Sequence, residues 1–150
     1  MTIEEIIDYL EALGGVLTLR PVPGDGSPEI AWGDVFFYYA PDGRTPTATQ
    51  PFATIVTKDY PDDASSGLHR PGAFRLNIHA GRAAFIAATG HSPRESVPGD
   101  PSVPDTLHPH PIYAGAGWLA IVNPGPRTDA AVRDLLRTAH DRARTRYETR

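Results

Sequence analysis

Asp34-Val35-Phe36-Phe37-Tyr38-Tyr39-Ala40 is the stretch that decides how this chain folds. Four consecutive aromatic residues behind a β-branched valine suit a strand covered on both faces. Pro41-Asp42-Gly43 turns the chain out of it. The next run of β-formers, Phe52 to Lys58, is reached by a loop through Gln50, which predicts an antiparallel pair.

Working outward, Val16 to Arg20 alternates as a short strand, and residues 21–28 form a Pro- and Gly-rich loop. Beyond a second loop, Asp59 to Gly72, Ala73 to Ile78 reads as a strand with Phe74, Leu76 and Ile78 on one face and Arg75 and Asn77 on the other. Ile112 to Val122 reads as the last strand, and Asn123-Pro124-Gly125-Pro126 turns out of it. Residues 91–111, with six prolines, read as an irregular loop.

Helices frame this set. Thr2 and Glu5 have capping-box spacing, and Ile3, Ile6, Ile7, Leu10 and Leu13 form one apolar stripe before Gly14-Gly15 stops the helix. Gly81 to Thr89 predicts a short helix ended by Gly90. Thr128 is placed to cap a final helix whose stripe is Val132, Leu135, Leu136, Ala139, Ala143 and Tyr147. The expected fold is α+β: one domain over residues 1–150, with a single antiparallel sheet of about five strands and the terminal helices packed on one face.

The chain has 150 residues, a formal charge of −4 and no cysteine. Disulfides, CxxC redox chemistry and thiolate metal sites are thereby excluded. Sixteen prolines and 14 glycines indicate long loops. Of the 14 basic residues only Lys58 is lysine, a skew that reads as codon bias in a GC-rich genome such as an actinobacterium's. An acidic start and the absence of a long apolar run predict a cytoplasmic protein with no membrane partner. The last helix carries seven arginines from Arg127 onward against four acids. That balance suits the helix dipole and internal ion pairs better than nucleic acid, which is disfavoured as a partner.

Three groups of residues could carry chemistry. His108-Pro109-His110-Pro111-Ile112-Tyr113 holds two imidazoles in a proline-stiffened loop, suited to an acid–base or orienting role for His110 or to a polar loop. A zinc site would need a third ligand the sequence does not place, so no metal and no cofactor is assigned. Gly115 and Gly117 at period two share a face with Tyr113 in the expected last strand, a notch for a ligand, a backbone or a bulky helix residue. Arg75 and Asn77, with Arg70 before them and Lys58 and Asp59 on a neighbouring strand, could line one wall of a groove. The alternative is an internal ion pair of Arg75 with Asp59 or Asp34.

Phe52-Ala53-Thr54-Ile55-Val56-Thr57-Lys58-Asp59-Tyr60, Arg70-Pro71-Gly72-Ala73-Phe74-Arg75-Leu76-Asn77-Ile78 and Pro109-His110-Pro111-Ile112-Tyr113, with Trp118 and Asn123-Pro124, resemble a domain-of-unknown-function family common in actinobacteria. The layout is more distantly similar to the MmcQ/YjbR proteins, a small α+β fold. The resemblance carries over Lys58, Asp59, Arg70, Arg75, Asn77, His110, Tyr113, Trp118 and Asn123. It departs at His69, where aspartate precedes Arg-Pro-Gly, and at His79, where glycine stands; His108 also lies outside it.

The expected function is binding of a small molecule, with enzymatic activity left open. The groove would be lined by Arg75, Asn77, His110, Tyr113 and Trp118, with Arg75 on an anionic group. Lys58, Arg70 and Asn123 would be further contacts, and Asp59 would join His110 as a candidate for proton transfer. The alternatives are a nucleic-acid accessory protein acting through the last helix and a homodimer module without a ligand.

Overall fold

Residues 1–149 are described by a computed structural model. Helix α1 (Ile3–Ala12) begins with the capping box: Glu5 N donates to Thr2 Oγ1 at 3.1 Å, and Thr2 N to Glu5 Oε1 at 3.0 Å. Its stripe buries Ile6, Ile7 and Leu10. The chain then reverses through Gly14, at φ +91°, into strand β1 (Val16–Leu19).

Strands β2 (Val35–Tyr39), β3 (Ala53–Val56), β4 (Arg75–His79), β5 (Leu107–Pro109) and β6 (Trp118–Val122) complete one open antiparallel sheet in the order β1-β2-β3-β4-β6-β5. Strand alternation divides it into two faces. Val35, Phe37, Ala53, Ile55, Leu76, Ile78, Leu119 and Ile121 form a fully buried face. Helix α1, Phe85 of α2 (Arg82–Thr89) and the Val132, Leu135, Leu136 and Ala139 stripe of α3 (Asp129–Glu148) share this core. Each fully buried Leu or Ile there stabilises the fold by about 1.5–3 kcal/mol.

The opposite face carries the polar residues. In register across it lie Phe36 beside Thr54, Thr54 beside Asn77, Asn77 beside Ala120, and Ala120 beside His108. Segments 57–74 and 110–117 fold over it, and that arrangement places the site.

The sheet has six strands where five were expected. The extra strand, β5, lies inside the proline-rich stretch read as loop; its three residues are too few for a periodic signal. The expected strand over residues 112–122 divides in two. Ala114–Ala116 is a 3-10 turn, and Gly117, at φ +87°, ends it before Trp118 enters β6. Gly115 and Gly117 therefore do not share a strand face with Tyr113. A Cβ on Gly117 would stand 3.0 Å from Gly81 Cα, so this glycine admits another stretch of backbone.

Thr128 precedes α3 but makes no side-chain capping bond to that helix. Asp105 ties down the turn that leads into the helix: its carboxylate accepts the N–H groups of Gly125, Arg127 and Thr128 and the Thr128 hydroxyl. The Thr128 hydroxyl above all, then those N–H groups, hold its carboxyl down at about 2 against the opposing effect of desolvation.

Candidate functional site

A cavity of about 320 Å³ opens on the face away from α1 and α3. Phe36, Thr54, Arg75 and Asn77 make its floor, and Trp118 stands at the start of β6. Tyr60, Asp62 and Asp63 of the loop after β3 form one wall, and His110, Ile112 and Tyr113 the other. Ile112 and Tyr113 are exposed hydrophobic residues on the rim, Tyr113 at 56%.

Arg75 is the hub. It is buried, and its guanidinium grips Asp63 with two prongs, Nη1 to Oδ1 at 2.9 Å and Nη2 to Oδ2 at 2.6 Å. Nη1 also donates to Ser66 Oγ at 2.9 Å, and Nε to Asn77 Oδ1 at 2.7 Å. Asn77 passes the network across the sheet, its Nδ2 donating to Thr54 Oγ1 at 3.0 Å. Planar forked donors matched to a carboxylate make this a strong, oriented pair. Burial would raise Asp63, but the hydrogen bonds and charge of Arg75 outweigh it and hold the carboxyl below its ordinary value. The expected partners of Arg75 were Asp59 or Asp34; the loop geometry presents Asp63 instead.

His110 follows from its prolines. Pro109 and Pro111 restrict the backbone so that the side chain folds over the following turn. Nδ1 accepts the N–H groups of Ile112 and Tyr113, each at 3.0 Å. The imidazole is 4% exposed, lies near the Tyr113 and Trp118 rings and has Nε2 3.2 Å from Arg75 Nη2. Burial first, then the Arg75 charge, push it down to about 4 against the opposing pull of Asp63. It is a neutral imidazole at pH 7. Trp118 is fixed from its other side by His79, stacked on it at 4.9 Å, whose Nε2 donates to the Ala116 carbonyl at 3.0 Å.

Arg75, Asn77, His110, Tyr113 and Trp118 thus meet around one cavity. The other four candidates lie outside its lining. Lys58 Nζ donates to buried Asp34 at 2.8 Å, where Thr57 N, Thr57 Oγ1 and the Tyr60 hydroxyl also converge. Asp59 accepts Leu68 N at 2.8 Å and faces His69. Arg70 donates to the carbonyls of Gly67, Ser66 and Ser102, and Asn123 to that of Gly72. These residues shape the loops over the sheet.

Sequence reasoning missed Asp62, Asp63, Tyr60, Phe36 and Thr54. Thr54 was within reach: Ala53 and Ile55 face the core, so strand alternation turns Thr54 to the face of Asn77. Asp63 carried no such signal, because its place depends on a turn in which Tyr60 and Asp63 exchange backbone hydrogen bonds.

His108 is bonded to the Val103 carbonyl at 3.1 Å, and no group of three His, Cys, Asp or Glu among the described residues is placed to hold a metal. No helix there is long and apolar enough to cross a membrane. Four ion pairs within α3, Arg133–Asp129, Arg137–Asp134, Arg144–Asp141 and Arg144–Glu148, engage arginines of that helix.

No curated protein and no solved structure matches the chain. The match that does cover it runs over residues 1–150 and is described as a family of unknown function (DUF6194), and the chain belongs to that family.

Proposed function

We infer that this protein binds a small molecule in the cavity over β2, β3, β4 and β6. The observation that carries the reading is that buried Arg75, Asn77 and His110 are gathered beside aromatic side chains in a concave site. A few fixed polar groups within a largely apolar lining are the usual make-up of a ligand pocket. Arg75 fixes the site rather than holding an anionic group, because Asp63 already occupies both its prongs. The ligand contacts are His110, Asn77, Tyr113 and Trp118, together with the Nη2 hydrogen of Arg75 that Asp63 does not use.

The finer family relations belong to the same reading. The arginine-for-lysine skew supports an actinobacterial source, and the helix-first, sheet, helix-last order supports an MmcQ/YjbR-like layout. The ion pairs along α3 disfavour nucleic acid as a partner.

A thermal-shift screen against a diverse metabolite library tests the reading, using the wild type and Thr54→Phe, which fills the floor while keeping a β-former in β3. Stabilising compounds should lose their effect in Thr54→Phe. Equal stabilisation of both proteins would overturn the reading. Light scattering supplies the competing outcome, a dimer closed over Ile112 and Tyr113 that no compound perturbs.

A further inference from the structure

We propose that the inner end of the cavity reads an uncharged carbonyl oxygen, of the amide or ketone type, between the Nε2–H of His110 and the Nη2–H of Arg75. This rests on the binding reading above and names its ligand class.

The position of the histidine proton carries the argument. Two backbone N–H groups converge on His110 Nδ1, so that nitrogen must offer its lone pair. Neutral imidazole then carries its proton on Nε2. Arg75 Nη2, 3.2 Å away, is also a donor, because a guanidinium has no acceptor. Their closeness is therefore a contact between two donors. Both are buried, and a buried donor without an acceptor is costly.

Among the described residues, the polar atom within hydrogen-bond reach of His110 Nε2 is Arg75 Nη2, itself a donor. Asp63 Oδ1 and Oδ2 and Asn77 Oδ1 accept from Arg75, Thr54 Oγ1 accepts from Asn77 Nδ2, and none of these oxygens is bonded to His110 Nε2. Among the described residues, nothing accepts the second Asn77 amide proton or the Thr54 hydroxyl proton. The inner end presents donors, and a ligand must bring the acceptor.

Charge decides which acceptor. Asp63 neutralises Arg75, and the exposed carboxylate of Asp62 lines the mouth with no ion-pair partner among the described residues. With His110 neutral, the lining has a net negative charge, which opposes a carboxylate or phosphate and permits a neutral carbonyl. The ring of such a ligand would lie against Trp118 and Tyr113.

Three measurements on the full chain at pH 7 test this. Nitrogen-15 spectra of the histidine side chains should show His110 protonated on Nε2. Protonation on Nδ1 would overturn the proposal and leave the binding reading standing. Titration with benzamide, benzoate and benzylamine, followed at the Ile112 and Tyr113 amides, should give benzamide the highest affinity, with benzoate weaker by about tenfold. Equal or tighter benzoate overturns the proposal. So does silence from all three when other compounds still shift these amides; silence from every compound overturns the binding reading too. His110→Asn puts Oδ1 where Nδ1 accepts the turn N–H groups but removes the Nε2–H. It should fold and bind benzamide about 5–10-fold more weakly, as for one lost hydrogen bond. Unchanged affinity in a folded variant contradicts the proposal.

Discussion

Arg75 and Asp63 meet in a two-pronged ion pair that ties the loop after β3 onto the sheet face beside His110. The side chains are 3% and 11% exposed, so removing either leaves a charge largely shut off from water. Asp63→Ala should destabilise the protein by about 3 kcal/mol in urea unfolding. The double variant Arg75→Met/Asp63→Leu should recover most of that loss, because a matched apolar pair strands no charge. A loss below about 1 kcal/mol in Asp63→Ala would show that the pair does not organise the loop.

Stability should fall with acid in a window set by His110. Its folded value, about 4, lies below the ordinary 6.5, so the unfolded chain takes up the proton first. The neutral form therefore stabilises fully above about pH 6.5, and the contribution is lost as pH falls towards 4, by up to about 3 kcal/mol. Burial shifts His79 in the same direction. Unfolding free energies across this range should show a shallower slope in His110→Asn than in the wild type; an unchanged slope contradicts the assignment.

Two neighbouring glycines should respond differently to alanine. Gly117 has φ +87° and approaches the Gly81 backbone, so Gly117→Ala should cost roughly 2 kcal/mol or more. Nothing lies within 4 Å of a Cβ built on Gly115, whose φ is not positive, and Gly115→Ala should be close to neutral. Comparable losses in thermal melts would contradict the 3-10 turn and favour a strand running through both positions.

The start of α3 depends on Asp105 more than on Thr128. Thr128→Ala removes one hydroxyl bond, whereas Asp105→Ala removes that bond and three to backbone N–H groups. Asp105→Ala should melt at the lower temperature, with Asp105→Asn between it and the wild type, since asparagine tolerates the left-handed backbone at this position. A more damaging Thr128→Ala would restore the cap that the sequence suggests.

The elements legible in the sequence were those with a local cause. Thr2 and Glu5 announce α1 by mutual capping, and the Val35–Tyr39 run and the alternation through Arg75 and Asn77 announce central strands. What stayed hidden depends on distant partners. β5 exists because Leu107–Pro109 pairs with β6, and the turn into α3 is held by Asp105, 23 residues before Thr128. The site divides the same way. Arg75 and Asn77 could be read from one strand face, but Asp63, the partner of Arg75, comes from a loop whose path no periodicity encodes.

Mapping ligand contacts by amide chemical shifts tests the central claim most directly. The protein would be titrated with each stabilising compound from the metabolite screen. Binding in the cavity predicts shifts concentrated at Phe36, Thr54, Asn77, His110, Ile112, Tyr113 and Trp118, and their loss in Thr54→Phe. Shifts confined to the α1 and α3 side of the sheet, or a screen in which no compound moves the cavity amides, would contradict it.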